Sequence, residues 1–404
     1  MRSILSVLKK VWKLIVLFLL IGITFSYAMF QGGFVSWFLF YSFLPFAIYA
    51  LSLSFYPLTH FQAVRVFQKT EFNAGETLKV SITISRKSVF PLFFLVIEDC
   101  LSDQLLLLQE RNKTKAFLFP GFQKEITWEY QVNDLQRGEH FFQYVRLKSG
   151  DPLGLIEKEI LVQTDNKIIV YPAYEELIYR PLENHFDQGM TASKERVQRD
   201  TSMAIGIREY QPGDRFSWIN WKATAKRNEI MTKEFEQRQS HDVYILMDCA
   251  PNSRFETIVS FSASIIRAIL QKGAQVGFLS SASERVAFPI RGGEGQQLQL
   301  FYHLAKVKDN SPVSIDRVLE VEGFLLQQNN LMVVTGQLTR SLIEKAGLLT
   351  SKNNAVTIFI LKNEAEILSQ NELALMSAAN SRGLRIVLVH KGDFKAVFSE
   401  VARR

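Results

Sequence analysis

Cysteine is nearly missing from this chain. In 404 residues there are two, Cys100 and Cys249, far apart and each inside an apolar run. That excludes a disulfide framework and a cysteine-held metal, and it fits a reducing compartment. Histidine is scarce as well. The six, His60, His140, His185, His241, His303 and His390, fall at no spacing that makes a ligand pair or a triad with a carboxylate and a nucleophile. A phosphate loop is absent, because Gly292-Gly293-Glu294-Gly295 lacks the Lys-Ser/Thr that would touch phosphate and metal. With no catalytic constellation in view, the expectation is a protein that performs no catalysis of its own.

What the chain has in excess is apolar surface. Hydrophobic residues make up 47% and Phe alone numbers 32, a load that points to a part embedded in lipid. Two apolar runs stand at the start, from about 11 to 30 and from about 34 to 56; the first carries only Lys13 and the second no charge. Each is long enough to cross roughly 30 Å of hydrocarbon as a helix, with Gln31-Gly32-Gly33 as the tight connection. The expectation is a transmembrane hairpin with Trp12 and Trp37 as interfacial anchors. A cleaved signal peptide fits less well, since the run is long, lacks a small-x-small cleavage site and is followed at once by a second span. Arg2, Lys9, Lys10 and Lys13 precede the first span, no Lys or Arg lies in the connection, and His60, Arg65 and Lys69 follow the second. The positive-inside rule then puts both ends in the cytoplasm of a multi-pass protein of the cell membrane.

From 61 to 172 apolar and polar residues alternate, as in Leu78, Val80, Ile82 and Ile84 and again in Ile126, Trp128, Tyr130 and Val132, with turn chemistry at Asn73-Ala74-Gly75. That is the pattern of an all-β, sandwich-like domain. The polar stretch from Glu175 to about Ser202 reads as a linker within 173–240. From 241 to 404 apolar runs such as Val243 to Met247 and Leu331 to Thr335 alternate with helical stretches, which means a doubly wound α/β sheet with its sites at the carboxyl ends of the strands. Asp248 stands at one such end.

Between these parts runs a dense segment, 206–228. It holds two of the five Trp, Trp218 and Trp221, a Pro212-Gly213-Asp214 turn and the cations Lys222, Lys226 and Arg227. The local reading is strand, turn and short helix, with Asp214 as N-cap of a helix through Trp218, Trp221 and Ala225. Gly206, Arg208, Tyr210, Gly213, Asp214, Trp221, Lys222, Thr224 and Ala225, with Lys226 where Arg is usual, resemble the signature of the bacterial domain-of-unknown-function family 58. Arg137-Gly138 and Asp151-Pro152-Leu153-Gly154-Leu155 are similar to signals that precede it.

The resemblance implies a C-terminal part like a von Willebrand factor A domain, whose oxygen ligands for Mg²⁺ would begin at Asp248. Here the motif reads Asp248-Cys249-Ala250-Pro251-Asn252, the loop Arg291 to Gly295 puts a cation and no Thr near the site, and Thr335-Gly336 stands where an Asp is usual. A hard cation needs about six oxygens, so the remnant at Asp248 and Asn252 would hold Mg²⁺ weakly at most. The resemblance further implies a MoxR-type AAA+ ATPase as partner, and a membrane transglutaminase-like protein as a second. This makes the chain a membrane-anchored adaptor, with Arg208, Tyr210, Gly213, Asp214, Trp218, Trp221, Lys222 and Lys226 bracing the sheet or forming the docking face. Two alternatives stay open: nucleic-acid binding through the basic-aromatic segment 215–227, and a metal-dependent adhesion module.

Overall fold

The computed structural model describes residues 2–101, 114–179, 197–211, 214, 216–239, 242–282, 286–323, 330–350, 355–364, 366 and 368–397. Two compact units divide the chain at Tyr171/Pro172.

The first unit begins with helices α1 (Arg2–Gln31) and α2 (Phe34–Phe55). The stretches Trp12–Gln31 and Phe34–Phe55, of mean hydropathy 2.1 and 1.7, are long and apolar enough to cross a membrane. Gly32 turns the corner between them at φ +64°, a conformation that favours glycine. The Ser36 hydroxyl then accepts the Gly33 N–H at the start of α2. At the other end, Lys158 Nζ donates to the carbonyls of Ser54 and Tyr56, satisfying orphan acceptors with a cation at the negative end of the helix dipole.

Eight strands follow: β1 (Phe61–Phe67), β2 (Glu71–Asn73), β3 (Leu78–Arg86), β4 (Leu95–Leu101), β5 (Lys115–Leu118), β6 (Glu125–Val132), β7 (Gly138–Gly150) and β8 (Glu157–Tyr171). They form a sheet of order β1-β3-β6 and a second of order β2-β8-β7-β4-β5, antiparallel except where β2 meets β8. Alternation works as the sequence suggests: Leu78, Val80, Ile82 and Ile84 of β3 turn inward and meet Ile97, Phe142, Val145 and Leu147 of the other sheet in one core.

A charge sits in that core. Arg65 of β1 donates through Nε and Nη2 to both oxygens of Asp99 in β4, at 3.0 and 2.5 Å, and both side chains are fully buried. Its Nη1 reaches the Phe142 carbonyl, Thr164 and Asn166, and the Tyr130 hydroxyl of β6 donates to Asp99 at 2.6 Å. One guanidinium thereby ties together strands from both sheets.

In the second unit the two described ends of the stretch read as a linker are built into the fold. Residues 172–179 lie on the α/β part: the Glu175 N–H donates to Ser264 Oγ, Tyr174 lies under the Arg267 guanidinium at 4.6 Å, and Leu177 and Tyr179 are buried. Strand structure resumes at Val197, inside the supposed linker, as β9 (Val197–Glu209), which pairs antiparallel with β10 (Met231–Gln239). Backbone pairing and the burial of Leu177 and Tyr179 outweighed a polar composition that looked like a spacer. Residues 180–196, with the Gly-Met-Thr-Ala-Ser loop, lie outside the described residues.

The α/β part has strands β11 (Val243–Met247), β12 (Val276–Ser280), β13 (Ala287–Arg291), β14 (Asn330–Thr335), β15 (Val356–Lys362) and β16 (Arg385–His390) in the order β13-β12-β11-β14-β15-β16. All pairs are parallel except β12 with β13. Its helices are α4 (Phe255–Gln271), α5 (Glu294–Lys306), α6 (Ile315–Val321), α7 (Arg340–Leu349) and α8 (Gln370–Asn380). Leu246, Val333, Ile358 and Ile360 face α6, α7 and α8. The opposite face takes α4, where Phe261 meets Phe359, and α5, where His303 meets Phe278. Covering on both faces is why β11 and β15 are buried at every position.

Replacing Asp99 by Asn leaves the Arg65 charge buried without its counter-ion and should cost about 3–5 kcal/mol locally. Native-state hydrogen exchange on the detergent-solubilised chain checks this. Protection of β4 and β6 is expected to fall in Asp99→Asn and to recover in part in the double variant Arg65→Met/Asp99→Asn.

Candidate functional site

The signature lies between β9 and β10. Glu209 pairs with Met231 and Arg208 with Thr232, so the segment between them is closed at its base by a ladder. It contains a 3₁₀ turn, Phe216–Trp218, and a short helix, α3 (Trp221–Arg227). Asp214 does not cap that helix. Its two oxygens take a bidentate pair of hydrogen bonds from Arg208 Nη1 and Nη2, at 2.8 and 2.7 Å, and Oδ2 also accepts the Gln211 N–H. A fork-to-fork pair is worth more to a carboxylate than one backbone N–H. The cap is Asn220, whose side chain accepts from the Ala223 N–H; Asn228 closes the helix in the left-handed conformation at φ +59°. Thr224 Oγ1 then accepts the Met231 N–H, and the Asn220 N–H reaches the Met231 carbonyl, so α3 is tied to β10.

This frame presents apolar rings to solvent. Phe216 and Trp221 are 77% and 70% exposed, and Ile207 and Ile230 are about half exposed. Tyr210 stacks on Phe216 with centroids 6.4 Å apart, while Trp218 is half-buried. Lys222, Lys226 and Arg227 are exposed, and among the described residues none of them has an ion-pair partner. Pro212, Gly213 and Arg215, and the side chains of Glu234 and Glu236, lie outside what is described.

The carboxyl ends of the parallel strands form the second candidate. Asp248 is buried there; its Oδ2 accepts the Thr335 hydroxyl at 2.7 Å and its Oδ1 the Ala250 N–H at 3.0 Å. Burial pushes its pKa up, more than these neutral donors pull it down. Ser281 Oγ accepts the Cys249 N–H, and Asn252 turns its oxygen to the Arg254 N–H with its amide nitrogen against Gly336, where a Cβ would come within 2.5 Å. Arg254 donates to the Gly336 carbonyl and pairs with Glu366; Lys362 reaches Glu366 and Glu372. The oxygens around Asp248 are thus occupied by donors of the chain itself. Among the described residues no three His, Cys, Asp or Glu side chains converge as metal ligands.

One expectation is overturned by register. Arg291 pairs with Val276, the first residue of β12, whereas Met247, next to Asp248, pairs with Ser280, the last. Arg291 therefore lies at the amino ends of the strands, roughly 15 Å away along a five-residue strand, and no cation comes to Asp248 from that loop. An antiparallel β13 reverses the chain before the glycines are reached. The Arg254, Lys362, Glu366 and Glu372 network was not found from sequence; the one signal was acidic residues following an apolar run that ends in Lys362.

Together these features define the class: two apolar helices, a sheet-rich part, and an α/β part preceded by an aromatic-basic signature. The family's sequence profile, described as "Protein of unknown function DUF58", matches residues 206–404, and the chain belongs to that family. The uncharacterized protein YeaD of Bacillus subtilis (strain 168) is 40% identical over 389 residues, covering 96% of this chain and 97% of its own. Among solved structures, a CARDB domain from Pyrococcus furiosus in complex with di-metal ions covers 27% of this chain and 91% of its own at 8% identity and TM-score 0.20. The bacterial hydrophobin BslA covers 28% and 98% at 9% identity and TM-score 0.18. Likeness at that level carries no argument.

Because the folded pKa of Asp248 lies above its unfolded value, the native state binds the proton more readily. Its contribution to stability is then greatest at low pH and declines as pH rises through the interval between the two values. The urea midpoint of the wild type relative to Asp248→Asn is expected to rise between pH 7 and pH 4.5; a constant difference would remove burial as the dominant influence on this carboxyl.

Proposed function

We propose that the chain is a membrane-anchored interaction protein without catalysis of its own. In this reading α1 and α2 span the cell membrane with both ends in the cytoplasm. The strands from 61 to 171 form a sandwich, and the α/β part is a von Willebrand factor A-like domain whose ligand set has lapsed to Asp248 and Asn252. The signature is the docking surface, and by family resemblance its partner is a MoxR-type AAA+ ATPase, with a membrane transglutaminase-like protein as a further associate.

The observation that carries the reading is Trp221. It is 70% exposed on a helix capped at both ends and tied to β10, which is a costly way to hold a large apolar ring in water unless something covers it. Phe216, Ile207 and Ile230 are further exposed apolar side chains in and next to the signature, and aliphatic residues suit a protein partner better than a stacked base. By contrast, both oxygens of Asp248 already accept hydrogen bonds from the chain, from Thr335 and from the Ala250 N–H.

A second reading has its own support. Lys222, Lys226 and Arg227, exposed near Trp221 in the sequence and without an ion-pair partner among the described residues, would also suit a single-stranded nucleic acid, with an affinity that falls steeply with salt.

The test is co-purification from detergent-solubilised membranes. The ATPase is expected to come down with wild type and with Asp248→Ala, and to be weakened about 30-fold by Trp221→Ala, the loss of one central aromatic anchor at ~2 kcal/mol. Loss with Asp248→Ala and with chelator would favour the metal-dependent adhesion module. Salt-sensitive binding of single-stranded DNA, abolished by Lys222→Ala/Lys226→Ala, would favour nucleic acid.

A further inference from the structure

The first unit carries an apolar feature that neither the helices nor the signature explains. Two short segments, Val89-Phe90-Pro91-Leu92-Phe93-Phe94 and Phe117-Leu118-Phe119-Pro120-Gly121-Phe122, hold no charge, and a lysine follows or precedes each: Lys87 before the first, Lys115 before and Lys124 after the second. In the fold they meet. Leu92 and Gly121 exchange N–H···O bonds at 3.0 Å each. The buried Arg86 donates to the carbonyls of Phe90, Gly121 and Gln123, at 2.6, 2.7 and 2.7 Å, which clamps the two loops into one tip. A rigid tip with such partners ought to bury its rings. Instead Phe119 and Phe122 are 76% and 69% exposed, and Val89, Phe93 and Phe117 are about half exposed.

The tip is held against α2. The Phe93 N–H donates to the Tyr49 hydroxyl at 3.2 Å, the Phe93 ring stands edge-on to Tyr49 at 4.6 Å, and Phe90 stacks on both Tyr49 and Tyr56. Tyr49 is six residues before the end of α2 at Phe55, about 9 Å along the axis at the rise of an α-helix. The first loop therefore stands beside the apolar run of α2 and not beyond its end, with the second tied to it through Leu92 and Gly121. An apolar groove of about 600 Å³ opens where they meet, lined by Tyr41, Leu44, Pro45, Ile48, Phe90 and Pro91.

We propose that this tip is a second membrane contact, resting on the reading that α1 and α2 span the bilayer. Phe93, Phe119 and Phe122 enter the boundary between headgroups and acyl chains in the leaflet that α2 leaves, Lys87 and Lys124 meet anionic headgroups, and the groove takes an acyl chain. Three observations select lipid over a soluble partner. Through Phe90, Pro91 and Phe93 the tip is continuous with the apolar surface of α2. It is uncharged at its centre and cationic at its flanks, the pattern of interfacial segments. The Arg86 clamp supplies the internal hydrogen bonds that backbone needs when water is withdrawn. The arrangement would hold the sheets at a fixed height on the membrane, so that the unit meets the bilayer at the helices and at the tip.

The full chain, reconstituted in phosphatidylcholine/phosphatidylglycerol vesicles, tests this. Nitroxides are placed at Phe119→Cys, Phe122→Cys and, as control, Lys79→Cys at the far end of β3; Cys100→Ser removes the half-buried thiol, and the buried Cys249 stays. Power saturation is expected to show residues 119 and 122 several-fold more accessible to oxygen than to a soluble nickel complex, with the ratio inverted at 79. Removal of phosphatidylglycerol should lower the ratio at 119 and 122. If all three labels prefer nickel while the protein still floats with carbonate-washed vesicles, the tip proposal falls and the anchor stands. If the protein washes off, the spanning reading and the tip proposal fall together.

Discussion

A charge withdrawn from water must be paired and fully hydrogen-bonded, and the pairing of Arg65 with Asp99 is where that rule shapes the molecule most. Two sheets that share an apolar core can slide on one another, because dispersion contacts are not directional. A guanidinium has five donors in a fixed plane, and here they reach Asp99, Phe142, Thr164 and Asn166. Only one relative setting of the strands satisfies them, and Tyr130 completes the carboxylate from the other sheet. The ion pair is weak as a source of net stability. Its consequence is register, which places β3 and β6 so that the loops beyond them meet under Arg86.

The same rule distinguishes the two candidate sites. At the carboxyl ends of the parallel strands, the oxygens of Asp248, Asn252, Ser281 and Thr335 each accept from or donate to one another or backbone. A site whose polar groups are already paired offers a ligand little. In the signature the charges of Arg208 and Asp214 are spent internally, on holding the turn, and the outward surface combines the apolar Phe216, Trp221 and Ile230 with the cations Lys222, Lys226 and Arg227. The paired charge there builds the frame, and exposed rings are part of the surface. The tip at Phe119 and Phe122 repeats the arrangement with Arg86 as the internal tie. In each case a guanidinium bonded within the loop, half-buried at Arg208 and buried at Arg86, holds a segment that presents aromatic residues.

Much of the plan was legible from residue order. Two long apolar runs, a region of period-two alternation and a region of buried runs separated by helical stretches are local patterns, and each became the element its period implies. The signature could be found because its residues are close in sequence. Its internal wiring could not. Asp214 stands where an N-cap is expected, and nothing local reveals that Arg208, six residues back across a turn, will take both its oxygens. The end of the stretch read as a linker, from Val197, is strand for a similar reason: polar composition describes solvent contact, and β9 is defined by its partner β10.

The sequence by itself determined which segments are helix, which are strand and which are apolar enough for lipid, because those properties depend on neighbours within a few residues. It also determined family membership through the signature. Tertiary structure alone decided which charged groups are paired, which end of the sheet Arg291 occupies, and that two Phe-rich segments some 25 residues apart form one tip beside α2. These depend on strand register and on contacts between residues distant in the chain. One residue of slip would send each side chain to the opposite face, so no reading of composition or spacing contains them.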